Sequence, residues 1–167
     1  MAIFKQMRTI LIIMLMGNLS HAGPVHIDIF HLLQKRLVLN YEHKVNDNHA
    51  LRFGFTDSEM KSKGVSLDLS LYELSYRRYI QPTAGVIFWS FGVRSGPALI
   101  STDAIQENEI LVMPFYDVGV KSKLSERWVH ELRLEMAVVQ LYTDEINVNH
   151  LLGLQWTPYF SFGYRLD

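Results

Sequence analysis

Hydrophobic and polar side chains alternate with a period of two along most of this chain, which is the pattern of strands with two different faces. Residues 128–142 (WVHELRLEMAVVQLY) show it best. Trp128, His130, Leu132, Leu134, Met136, Val138, Gln140 and Tyr142 fall on one face, and Glu131, Arg133 and Glu135 fall on the other. Residues 36–44 set Leu37, Leu39 and Tyr41 against Asn40, Glu42 and Lys44. Residues 51–55 set Leu51, Phe53 and Phe55 against Arg52 and Gly54, and residues 84–96 set Ile87, Trp89, Phe91 and Val93 against Ser90, Gly92 and Arg94. Residues 110–124 oppose Ile110, Val112, Tyr116, Val118 and Val120 to Asp117, Gly119 and Lys121, and residues 152–166 oppose Leu154, Trp156, Phe160, Phe162 and Tyr164 to Gln155, Thr157, Ser161 and Arg165. In residues 65–80 the apolar phase slips from Leu67, Leu69 and Leu71 to Tyr72, Leu74 and Tyr76, which predicts a β-bulge near Leu71–Tyr72. Residues 25–33 fit a strand or a short amphipathic helix; the strand brings the count to eight, the even number that single-chain bacterial barrels require. Short turns at 46–49, 81–85 and 124–127 alternate with longer polar stretches at 57–64, 95–107 and 143–149.

Alternation alone does not say which face meets water. A soluble barrel buries its apolar face, whereas a membrane barrel turns that face to lipid and encloses the polar one. Three features favour the membrane. Aromatic residues Tyr79, Trp128, Tyr142 and Tyr164 lie near strand ends, as interfacial girdles do. The strands are longer than the usual five or six residues. The polar face carries both signs of charge, so that Glu42, Lys44, Arg52, Glu73, Arg77, Arg94, Asp117, Lys121, Glu131, Arg133, Glu135 and Arg165 can neutralise one another inside a narrow lumen. The expected fold is all-β: an eight-stranded antiparallel up-and-down transmembrane β-barrel with short periplasmic turns and longer external loops. Pro114 and Pro158 fall inside expected strands, where each removes a ladder hydrogen bond; local bulges are expected to absorb them.

Residues 1–22 have the form of a cleaved signal peptide: Lys5 and Arg8, then an apolar run at 9–16 (TILIIMLM), then Ser20-His21-Ala22. That run is about half the ~20 residues of a spanning helix, so residues 23–167 form the expected barrel domain. Among 167 residues the 16 basic and 17 acidic side chains nearly cancel, which speaks against a nucleic-acid partner. The chain has no cysteine, which excludes disulfides and thiolate chemistry.

The plan resembles that of small eight-stranded outer-membrane proteins of the outer membrane protein X and outer membrane protein A transmembrane type. Local echoes are Leu39-Asn40-Tyr41-Glu42, Leu74-Ser75-Tyr76-Arg77-Arg78-Tyr79 and Phe162-Gly163-Tyr164-Arg165-Leu166. The last, with Phe160, Phe162, Tyr164 and Leu166 alternating, looks like the C-terminal signal read by the barrel-assembly machinery, although this chain ends in Leu-Asp where a Phe is usual. The resemblance implies the bacterial outer membrane as location, its lipid as surroundings and that machinery as a partner. It implies little about activity, since one fold hosts many functions.

Deacylation would need a hydroxyl nucleophile beside an oriented histidine. His130 adjoins Glu131, but neighbouring strand residues point to opposite faces, and no serine accompanies His150 in sequence. His26 with Asp28, or Asp144, Glu145 and His150 together, offer too few ligands to define a metal site. No catalytic set, metal or cofactor is expected. An eight-stranded barrel is just wide enough for its own side chains, so packed ion pairs fit Glu131, Arg133 and Glu135 better than a transport path. The expected role is structural or interactive. A lipid-modifying enzyme and a soluble periplasmic lipocalin-like barrel binding an apolar ligand are the alternatives.

Overall fold

The computed structural model describes residues 23–34, 36–62, 65–80, 86–101, 106–139 and 153–165. The signal-peptide segment 1–22, the turn at 81–85, Tyr142, and the stretch holding Asp144, Glu145 and His150 lie outside them. The elements are β1 (Pro24–Asp28), α1 (Ile29–Leu33), β2 (Leu37–Lys44), β3 (His49–Ser62), β4 (Val65–Tyr79), β5 (Val86–Ser101), β6 (Gln106–Lys123), β7 (Trp128–Val139) and β8 (Gly153–Arg165). All eight strands pair antiparallel with their sequence neighbours, and β1 also pairs with β8, closing a barrel. Closure satisfies the backbone groups that an open sheet leaves at its edges. The expected all-β eight-stranded antiparallel barrel is what the chain forms.

Turn chemistry fixes one rim. At residues 45–48 the Val45 N–H donates to the His49 carbonyl at 2.9 Å, and the Asn46 side chain accepts from the Asn48 N–H at 3.0 Å. At residues 124–127 the Leu124 N–H donates to the Trp128 carbonyl at 2.9 Å, while Ser125 Oγ accepts from the Trp128 N–H at 3.1 Å. Such side-chain bonds to nearby backbone are why Asn and Ser favour turns.

The opposite end departs from expectation. The polar stretches at 57–64 and 95–107 are mostly strand and not loop: β3 runs to Ser62, β4 resumes at Val65, β5 reaches Ser101 and β6 begins at Gln106. Residues 25–33 are both of the expected alternatives in succession. Asp28 ends β1 and caps α1, accepting from the His31 N–H at 2.8 Å and contacting His31 Nδ1 at 2.7 Å. An aspartate at the N-cap satisfies an otherwise orphaned helical N–H.

The expected bulge near Leu71 is absent. Register with β3 is continuous from His49↔Arg78 to Ser62↔Val65, and register with β5 is the same on both sides of Leu71. The hydrophobic phase slips because the surroundings change along an unbroken strand. Leu67, Leu69 and Leu71 point inward and join Ala98, Ile100, Leu111 and Val139 in a buried apolar cluster. Farther along the same inward face come Glu73, Ser75 and Arg77, then Tyr79 packed with Ala50 and Phe88. The interior is therefore layered, with an apolar cluster at each end and charge between.

The prolines need no bulges. Pro114 lies one residue past the end of the β6–β7 ladder at Phe115↔Ala137, and Pro158 lies where β8 has run beyond its last β1 partner, Ser161. Pro97 likewise sits where the β4–β5 pairing lapses between Leu69↔Ala98 and Tyr72↔Ser95. Each thus pairs with one neighbouring strand where the other ladder is interrupted, the position in which a missing N–H costs least.

Candidate functional site: an ion-pair lattice inside the barrel

Seven strands converge on one cluster. Arg52 from β3, Arg77 from β4, Arg94 from β5, Lys121 from β6 and Arg133 from β7 meet Glu42 from β2, Glu73 from β4, Asp117 from β6, and Glu131 and Glu135 from β7. β8 contributes Tyr159, whose hydroxyl donates to Glu135 at 3.2 Å. Five cations face five carboxylates, so the cluster is neutral as a set. Many contacts join strands that are not neighbours, which is possible only through the interior. Arg77 donates from Nη1 to Glu42 at 2.9 Å and grips Glu131 with two bonds of 2.6 and 2.9 Å. Arg52 reaches Glu73 at 2.6 Å and Asp117 at 3.0 Å. Arg94 joins Glu73 at 2.8 Å to Glu135 at 2.6 and 2.5 Å. Arg133 donates to Asp117 at 3.0 Å, and Lys121 to Glu42 at 2.8 Å.

Aromatic rings complete the cage. The guanidinium carbons of Arg77, Arg94 and Arg133 lie 3.7 Å from the Phe88 ring centroid, 4.5 Å from that of Phe115 and 3.9 Å from that of Tyr159. Arginine suits this site because its planar fork both stacks on rings and bonds carboxylates pairwise. Glycine makes the room: a Cβ at Gly119 would meet the Phe88 ring, the Leu132 carbonyl and the Arg133 Cβ, and one at Gly92 would meet Ser75 and the Phe115 ring.

Of the twelve charges expected inside, ten form this lattice, and Lys44 and Arg165 do not. Lys44 ends β2 exposed beside the turn, and Arg165 is half-buried at the end of β8. Both have the inward phase but lie at the rim, where water is at hand. Among the expected interface aromatics, Trp128 and Tyr164 face outward and pack edge to face with centroids 5.0 Å apart, and Arg127 donates to the Tyr164 hydroxyl at 3.3 Å. Tyr79 is a correction: it is buried and points inward, its hydroxyl 3.3 Å from Lys121 Nζ. Its side-chain phase matches Arg77, so nearness to a strand end misled where parity would have served.

Several interior partners lie outside the set of charges that the sequence pattern singles out. Phe88, Phe115 and Tyr159 share the phase of the charges, a signal available from parity. His31 carried no such signal; it is buried, stacked on Tyr159 at 4.4 Å and tied to Asp28. His26, Glu42 and Glu131 bring one potential ligand atom each within 4.8 Å of one another. Those carboxylates already answer Arg77 and Lys121, however, and a dication among them would face two positive charges. The trio is better described as a histidine beside a saturated ion-pair cluster.

Searches of family models and of curated proteins give no match. Solved structures do match. The N-terminal β-barrel domain of Pseudomonas aeruginosa OprF aligns over 87% of this chain and 97% of its own length, with a TM-score of 0.63 at 12% identity. Ail, the attachment invasion locus protein of Yersinia pestis, aligns over 87% and 98%, with a TM-score of 0.54 at 13% identity. At such low identity what is shared is the architecture: this chain has the eight-stranded closed barrel fold of these small outer-membrane proteins.

Proposed function

We propose that this protein is an integral β-barrel of the bacterial outer membrane with a structural or interaction role, its lumen filled by its own side chains and closed to conduction. One observation carries the reading, the inversion of faces. Leu132 and Trp156 are 58% and 60% exposed, whereas Glu42 and Arg77 are fully enclosed at 0%. Water penalises the first arrangement, and only an apolar solvent around the barrel makes both faces favourable. From Trp128 to Val138 the strand rises ~34 Å, or ~26 Å along the barrel axis at ~40° tilt, close to the apolar band of such barrels. No helix among the described residues is long and apolar enough to cross a membrane, so strands would do the crossing.

The same inversion disfavours a soluble barrel with an apolar ligand, whose cavity would be lined by Arg and Glu. Residues 1–22 would direct export, and outward-facing Phe160, Phe162 and Tyr164 on β8 would present the assembly signal. Beyond the belt, Asp57, Glu59, Ser66, Asp68, Ser70, Gln106 and Asn108 make the outer surface of the β3–β6 hairpins largely polar, a surface for outside partners.

Fractionation followed by electrophoresis tests the reading. The chain is expected in the outer-membrane fraction, soluble only in detergent and shifted in mobility by boiling; release into plain buffer would refute membrane insertion. Inserted into a planar bilayer, it should show no sustained conductance. Steady channels would refute the filled lumen while leaving the membrane assignment intact.

A further inference from the structure

We infer that the outer face of β3–β5, at the rim made by the short turns, holds the phosphate of an anionic glycerophospholipid through Arg78 and His49, with the aromatic cluster around Tyr76 against its acyl chains. The inference rests on the reading that this face meets lipid.

Strand register places the polar contacts side by side: His49 is opposite Arg78, and Arg78 is opposite Trp89. All three face outward, because Ala50, Arg77 and Phe88, one residue along each strand, are buried within. One step deeper, Tyr76 is paired with Phe91, and Phe91 with Tyr116. Ring centroids lie 5.5 Å apart for Tyr76–Phe91, 5.9 Å for Tyr76–Trp89 and 6.4 Å for Trp89–Tyr116, a continuous aromatic surface. The Tyr76 hydroxyl is bonded to His49 Nδ1. An imidazole held this way keeps its second ring nitrogen for a further polar partner.

Arg78 is the cation suited to the task. Among the described residues this rim exposes Lys44, Arg78, Lys123 and Arg127 against Asp47 and Glu126, a basic excess. Lys44 and Lys123 have the lumen phase, and Arg127 is engaged with Tyr164. Arg78 alone among these is on the lipid-facing phase, exposed, directly beside an aromatic band, and without a side-chain ion pair among the described residues. That basic excess favours anionic lipid at this rim. A free phosphate ion would have no use for the aromatic floor; a phospholipid uses both parts.

Trp89 can report on its own lipid neighbours. In a protein with Trp128→Phe and Trp156→Phe, folded into phosphatidylcholine bilayers, its fluorescence is quenched by lipids with brominated chains. Brominated phosphatidylglycerol should associate at this face roughly fivefold more strongly than brominated phosphatidylcholine, the preference that one basic group confers at ~1 kcal/mol. Arg78→Gln should bring the ratio to about one, and Arg78→Lys should retain part of it. Lys123→Gln should leave it unchanged, with heat-shifted mobility confirming that every variant is folded. A ratio near one in the parent, or equal losses in Arg78→Gln and Lys123→Gln, would overturn the site while quenching by phosphatidylcholine upheld the lipid-facing wall. No quenching by either lipid would overturn both.

Discussion

Glu131 shows what a single buried carboxylate does here. Its two oxygens receive both terminal nitrogens of Arg77, and Arg52 and Arg133 stand 3.7 and 3.8 Å away. Removing it strands Arg77 with only one edge of Glu42 as counter-charge. Breaking such a buried pair costs about 3–5 kcal/mol, whereas replacing both partners by apolar groups costs far less or nothing. Glu131→Leu should therefore lower stability in equilibrium urea unfolding from lipid vesicles by that amount, and Arg77→Met/Glu131→Leu should recover much of the loss. A double variant as unstable as the sum of its single changes would show that the two act independently. Volume is equally constrained. The space above Gly119 is filled by the Phe88 ring and the Arg133 stem, so Gly119→Ala should cost about 1–3 kcal/mol, the usual penalty of overpacking. An unchanged unfolding midpoint would mean that the ring and stem yield without strain.

Single strands carry the membrane argument. On β7 the outward side chains Leu132, Leu134 and Val138 are exposed while the inward Glu131, Arg133 and Glu135 are enclosed. If lipid surrounds this face, Leu134→Arg at mid-belt should cost ~2–4 kcal/mol. Ser66→Arg, outward on β4 but beyond the belt, should change stability by less than about 0.5 kcal/mol, as surface changes do. Equal penalties at the two positions would contradict a belt that ends between them. The β7 pattern is legible because its outward side stays apolar along the strand, even where the inward side passes from Glu135 to Ala137 and Val139. β4 was misread as bulged because its surroundings change: its inward side runs from Leu67, Leu69 and Leu71 to Glu73 and Arg77, while its outward side runs from Asp68 and Ser70 to Tyr72 and Leu74. A period of two cannot distinguish an inserted residue from a reversal of solvent. Nor can it name partners across the lumen. That Arg77 meets Glu131 and Glu42, and not Glu135, follows from how the strands stagger when the sheet closes.

At the scale of the whole molecule, closure is the vulnerable step. β1 spans only Pro24–Asp28; it pairs with β2 over Val25–Ile27 and with β8 over Pro24–Asp28. The β5–β6 ladder, by contrast, runs unbroken from Val86↔Lys121 to Ser101↔Gln106. The barrel is thus a broad, well-paired sheet joined by a narrow seam, and α1 stands where β1 would otherwise continue. That single turn has little intrinsic stability. It is held by the Asp28 cap and by His31, buried against Tyr159 at the edge of the ion-pair lattice. Segments with few backbone partners open at lower free energy than the global transition. In hydrogen exchange of the folded protein in detergent, the amides of residues 25–34 should exchange before those of the other strands, and those of β5 and β6 last. Asp28→Ala removes the cap, worth about 0.5–2 kcal/mol, and should speed exchange across the seam while leaving β5 and β6 unchanged. Uniform acceleration around the barrel would instead show that the seam opens only when the whole sheet unfolds, and that β1, despite its length, is as firmly held as its neighbours.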